Sequence, residues 1–348
     1  MAGRRLIAAL ISAATALSVM TACDPPPPRL AILVNSDGTG DDDSPGDGVC
    51  ASAASNGACT LTAAISEANA SPTGADIELP PLENDPVLPP FEYSGPDLTV
   101  TGDVRVIGGY GTRLGNVHIT VAAGARLSVS RIRPTEYTSH PVSFRVEGTL
   151  VLDQAFVEHN EFLSGADPRP VLEVTATGTA VLHESILVSD HSTAAVVNSG
   201  VLVAVWSSVA PIQICPTDQP GCFGTDVAVH TAGDGRTDLS GTATHTVGPW
   251  QTSLARCTGT PPVSHGYVHL EQPCGGTPAA GDSNGAAGVS YDFSTHDLTL
   301  STGSPLIDAV PLSEPLCADA TVDVFGVTRG LDGDADGIGA CEIGARER

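Results

Sequence analysis

The sequence of 348 residues contains no lysine; all 15 basic residues are arginine, set against 40 acidic ones, for a formal charge of −25. With no basic cluster either, nucleic acid and an anionic membrane surface are excluded as partners of the folded body. Aromatic residues make up only 4%, which excludes a core built on large rings. Apolar residues nevertheless reach 41%, too many for a disordered chain. Past the first 22 residues no run of 18 apolar residues exists, so no further membrane span is expected. Also missing are a Ser-His-Asp elbow, a P-loop, a dinucleotide fingerprint and Cys/His clusters at zinc spacing. What is present is 38 Gly, 27 Pro and an abundance of Val, Thr and Ala, the composition of an all-β protein.

Residues 1–22 read as a signal peptide: Arg4 and Arg5 precede an apolar stretch from Leu6 to Met20. Met20-Thr21-Ala22-Cys23 resembles a bacterial lipobox, which implies a diacylated Cys23 inserted in a lipid bilayer at the cell envelope. Asp24 and four prolines follow, a stiff spacer, and residues 23–48 are expected to be a Pro/Asp-rich linker. Removing residues 1–22 leaves 13 basic and 40 acidic residues, a charge of −27. The other eight cysteines fall in close couples: Cys50/Cys59, Cys215/Cys222, Cys257/Cys274 and Cys317/Cys341. Eight cysteines allow 105 connectivities; pairing within the couples is the simplest, and suits an oxidising compartment.

A loose repeat runs from about residue 98 to 212. Gly102 leads Val104 and Val106; Gly124 leads Leu127, Val129 and Ile132; Gly148 leads Leu150, Leu152 and Phe156. Gly178 then leads Ala180, Leu182 and Ile186, and Gly200 leads Leu202 and Ala204. The steps between these glycines are 22, 24, 30 and 22 residues. Alternation of apolar residues at period two marks half-buried strands, and a unit of this length marks a solenoid, best a parallel β-helix. A β-sandwich or jelly roll is the alternative, but no hairpin dipeptide recurs within the repeat. The body is assigned to residues 98–312, preceded by a cap and first coil at 49–97 and followed by a C-terminal segment at 313–348.

Two segments carry a resemblance. Cys59-Thr60-Leu61-Thr62-Ala63-Ala64-Ile65-Ser66-Glu67-Ala68-Asn69, followed by Gly74-Ala75-Asp76-Ile77-Glu78-Leu79-Pro80, resembles the "CSLREAI…AN…GxDxIxLP" segment of bacterial surface β-helix proteins. Thr62 and Ala63 replace that family's Arg and Glu. Leu298 to Ala309, Asp323 to Arg329 and Ala340 to Ala345 resemble its "L…GSPAIDAG", "DxxGxxR" and "CDIGAxE" stretches. The resemblance implies a right-handed parallel β-helix, and names no substrate. From the residues themselves, Thr60 is a plausible N-cap for about two helical turns with Leu61 and Ile65 on the apolar face, covering the open end of the solenoid.

Chemistry is thinly signalled. Asp332-Gly333-Asp334-Ala335-Asp336-Gly337 opens like an EF-hand loop. Position 12 is Ile343, with Glu342 one short, so Asp332, Asp334, Asp336 and Glu342 are the candidate Ca²⁺ ligands; Asp41 to Asp43 read as charged linker. Asp153 and Glu184, at similar offsets from their glycines, are the weak candidates for paired acids of a polysaccharide lyase or hydrolase. Arg126, Arg131, Arg133 and Arg145 could serve such a site as anion contacts, and His265 and His269 stand four apart without a helix to align them. Trp206 and Trp250 are the only tryptophans available as sugar platforms. The expected protein is a lipid-anchored envelope β-helix that binds a surface glycan or adheres without turnover. A carbohydrate-active enzyme or a structural spacer on the same scaffold are the alternatives.

Overall fold

The computed structural model describes residues 27–81, 93–95, 97–109, 111–132, 141–159, 169–189, 194–211, 227–245, 255–292 and 297–348. The signal segment, Cys23, Arg133, Cys215, Cys222 and Trp250 lie outside these ranges.

The chain is a parallel β-helix of three sheets, with nine, seven and six strands. Each coil visits the seven-stranded sheet, then the nine-stranded sheet, then, from Phe156–His159 onward, the six-stranded sheet. The expected alternation sets the register. Val104, Leu127, Leu150, Ala180 and Leu202 stack one above another, and so do Val106, Val129, Leu152, Leu182 and Ala204. All ten are buried. The seven-stranded sheet adds Ile119, Phe144, Leu172, Val196 and Val229 in one column. These residues form one continuous aliphatic core, in which each fully buried Val or Leu contributes about 1.5–3 kcal/mol.

The repeated glycine stands where the chain leaves one sheet for the next. A Cβ on Gly148 would strike the carbonyls of Ala122 and Ala125, and one on Gly200 those of Thr175 and Gly178. Backbone presses on backbone from coil to coil at these two positions, which favours glycine there, whereas Gly124 meets nothing and Ala125 takes the equivalent place on its coil. Antiparallel pairing between described strands is confined to Val289–Asp292 with Asp297–Leu300 and Val310–Pro311 with Ala340–Cys341. Both pairs follow the last parallel strand, Ser283–Asn284, so the solenoid and not the sandwich is the fold.

At the start of the solenoid a helix spans Leu61–Ala70, a little longer than the expected two turns. Thr60 caps it by accepting the Ala63 N–H at 3.0 Å. Leu61, Ala64, Ile65 and Ala68 are buried in the core. Glu67, also buried, accepts the N–H groups of Gly46 and Gly48, tying the acidic stretch before Cys50 onto the helix. Leu30–Leu33, within the segment read as linker, is a strand: it pairs in parallel with Ala75–Glu78 and opens the nine-stranded sheet.

After Asn284 the chain turns back and lies over the six-stranded sheet. Phe156, Ile186, Val188, Trp206, Ala210 and Ala243 point away from the solenoid axis, into a second core with Tyr291, Leu298, Leu306, Val310 and Ile343. Phe156 and Ile186 thus continue the Gly-led pattern in the sequence but belong to a different interior. Disulfides join Cys50 to Cys59, Cys257 to Cys274 and Cys317 to Cys341, each within its couple; the Cys215/Cys222 couple falls outside the described residues.

Candidate functional site

The C-terminal block is built around two buried polar residues. Asp323 accepts the N–H groups of Phe325 and Val327 on one oxygen and that of Glu347 on the other, at 2.7–2.8 Å. Arg329 is fully buried. Its guanidinium gives Nε to both oxygens of Glu184 at 3.2 Å and Nη2 to Glu184 Oε2 at 2.9 Å. It also donates to Glu347 Oε2 at 3.3 Å and to the carbonyls of Glu342 and Gly344, and lies 4.5 Å over the Trp206 ring. Glu184 and Trp206 reach it because both occupy a corner column where each coil takes a left-handed residue: Arg131, Gln154, Glu184, Trp206 and Gly241, at φ of 50–58°. At such a corner the side chain turns off the strand alternation. The "DxxGxxR…C" segment is therefore a clamp that seats the block on two adjacent coils.

Beside the clamp lies an acidic group. Asp308, Asp332 and Asp334 place one carboxylate oxygen each within 4.8 Å of one another. Asp308 accepts the N–H groups of Gly333 and Asp334, at 3.3 and 2.8 Å. Asp332 accepts those of Asp336 and Gly337, at 3.1 and 2.8 Å. Glu342 is completely buried, and neither of its oxygens receives an N–H donor. Burial, a side-chain hydrogen bond with Glu347 and the charges of Glu347 and Asp308 push its pKa up to about 10. Of the four expected metal ligands, Asp332 and Asp334 converge. Asp336 is exposed at the loop tip, turned to the Ile338 N–H, and Glu342 approaches from the protein side. Asp308 is the member of the acidic group that sequence reasoning missed: it lies 24 residues upstream of Asp332, and only the fold brings it there.

The paired-acid candidates part company. Asp153 projects from the nine-stranded sheet, half-exposed, with its Oδ1 2.7 Å from Nδ1 of His183 on the next coil. That bond raises the His183 pKa. Glu184 turns the other way, under Arg329; burial raises its pKa, and the charge of Arg329 opposes the rise. The two carboxylates do not face a common space. Arg145 is on the seven-stranded sheet, paired with Glu173 at 2.7 Å and Glu147 at 3.3 Å. Arg126 and Arg131 are exposed at opposite ends of one strand of the nine-stranded sheet. His265 binds Asp238 at 3.0 Å, while His269 is buried and bound to Ser283 and the Gly285 carbonyl.

His118 Nδ1 lies 2.6 Å from Ser143 Oγ in a polar pocket of about 170 Å³. The same contact recurs between His230 and Thr258 at 2.7 Å and between His269 and Ser283 at 2.9 Å. It is a rung of the coil-to-coil ladder, each His lying in register with the hydroxyl residue of the next coil.

The outward residues of the nine-stranded sheet are for the most part half-exposed or exposed. One row runs Asp76, Arg105, Ser128, Val151, Val181, Val203, Asp238; beside it lie Asp103, Arg126, Thr149, Thr179 and Val201. Nine strands at the usual spacing make a face roughly 38 Å long. Most of its side chains are small and half-exposed. No family model, curated protein or solved structure matches the chain. Fold and site together define a disulfide-tied parallel β-helix with one side closed by its own C-terminal block.

Proposed function

We propose that this protein is a non-catalytic β-helix of the bacterial cell envelope, anchored through Cys23, that binds a surface glycan along the open face of its nine-stranded sheet. The observation that carries the reading is the contrast between faces. The six-stranded side is sealed by the chain's own C-terminus, whereas the nine-stranded side leaves rows of Asp, Arg, Ser, Thr and Val half-exposed at coil spacing, polar on the first coils and Thr/Val on the middle ones. Such rows match the repeating hydroxyls of an extended polymer better than a single small molecule. The divergence of Asp153 and Glu184 weighs against turnover by that pair. The lipobox-like tetrapeptide and the two segments resembling bacterial surface β-helix proteins support the location.

The test is co-sedimentation of the mature protein with a panel of insoluble envelope and plant polysaccharides, with released reducing ends assayed in parallel. The expected outcome is retention by one class of polymer and no release. Thr149→Arg with Val181→Arg should weaken retention at least tenfold, while Thr120→Arg on the seven-stranded face should not. Release of reducing ends would overturn the non-catalytic reading. Equal retention of all variants would remove the face from the proposal.

A further inference from the structure

We propose that Asp308, Asp332 and Asp334 form a calcium site, with the buried Glu342 carboxyl group standing behind it, and that the bound ion pins the two ends of the C-terminal block together. The three aspartates come from two segments: the turn after Leu306, and the loop before Cys341. Their convergence within 4.8 Å is thus a product of the fold and not of local sequence. Among the described residues no Arg or His pairs with any of the three, nor with Asp336 or Glu342. The backbone bonds to Asp308 and Asp332 explain how the loop turns, and they leave lone pairs on every carboxylate. They explain nothing about Glu342. A carboxyl group with no exposed surface, no N–H donor on either oxygen and only the Glu347 carboxyl beside it is costly to keep.

Its placement is specific. A Cβ at Gly333, between the two loop aspartates, would collide with Glu342 Oε1 and come within 3.5 Å of Asp308 Oδ2. The missing side chain is what admits the Glu342 carboxyl to the inner side of the loop. A site made only of carboxylate oxygens, irregular and partly open to water, suits Ca²⁺; Zn²⁺ would ask for nitrogen or sulfur, and Mg²⁺ for a stricter octahedron.

The experiment uses the full mature chain, stripped with EDTA and titrated by calorimetry with CaCl₂ and separately with MgCl₂. One Ca²⁺ per chain is expected, with Mg²⁺ binding at least tenfold more weakly, and saturating Ca²⁺ should raise the midpoint of thermal unfolding. Asp334→Asn, at an exposed position, should weaken Ca²⁺ binding at least tenfold without altering the circular dichroism of the ion-free protein. Glu342→Gln keeps the shape and replaces the carboxyl group with an amide that cannot ionise when the ion binds, and should weaken binding several-fold. Asp153→Asn should leave it unchanged. No Ca²⁺ heat from the folded protein, or wild-type binding by both Asp308→Asn and Asp334→Asn, would overturn the site. Wild-type binding by Glu342→Gln would overturn the part assigned to Glu342.

Discussion

His245 illustrates how the interior treats an ionisable group. It is completely buried at the end of the inner ladder, and neither ring nitrogen has a partner among the described residues. Burial, and more weakly the neighbouring His269, lower its pKa to about 3. The native state therefore holds the ring neutral, while the unfolded chain takes up a proton below about 6.5. Between these two values the unfolded state binds more protons, so stability rises with pH across the window from about 3 to 6.5. Urea unfolding at pH 4.5 and pH 7 should show a loss at the lower pH on the order of a few kcal/mol, and His245→Leu should shrink that difference. An unchanged difference would mean that carboxylates alone set the acid limit. Residue-scale detail of this kind was barely legible in the sequence. Glu184 looked like a lateral acid because it follows Gly178 by six, but its left-handed corner conformation reverses its direction, and no spacing rule reports that.

At the scale of elements, the cap helix was legible because its signals are local: Thr60 before an apolar face with Leu61 and Ile65. The C-terminal block was not, because it is held by contacts 145 residues apart, Arg329 to Glu184. Its shape depends on which coils it meets. Leu30–Leu33 escaped for another reason: four apolar residues after a proline run carry no alternation to read. The clamp gives the block a sharp test. Arg329→Met should cost about 3–5 kcal/mol, because it leaves Glu184 and Glu347 buried without their cation. Double replacement with Glu184→Gln should recover part of the loss. Denaturant titration of the two variants measures both effects, and an Arg329→Met variant of wild-type stability would refute the clamp.

On the scale of the whole molecule, the solenoid was the most legible feature, since its period is written five times in Gly-led alternation. Which of three faces stays open was not written there; both Phe156 and Leu152 are apolar, yet one faces the second core and the other the first. A central cavity should be felt throughout. Leu150→Ala removes a buried side chain between Leu127 and Ala180 and should cost about 3 kcal/mol. Coils that depend on each other would shift the midpoint with one transition and an unchanged denaturant slope; a second transition would show that they unfold separately.

The seating of the C-terminal block bears on how such a chain can change length. Arg329 engages Glu184 and Trp206, and Tyr291 stacks on Phe156, so the block addresses particular coils rather than the last one. Duplication of the coil around residues 117–132, which precedes these anchor points, would extend the rod by about 4.8 Å and leave their mutual register unchanged. Duplication between Phe156 and Trp206 would pull its anchor points out of step. Growth and shrinkage of the rod are thereby confined to its N-terminal half, so that the length of the open face can vary while the end that seats the C-terminal block is kept intact.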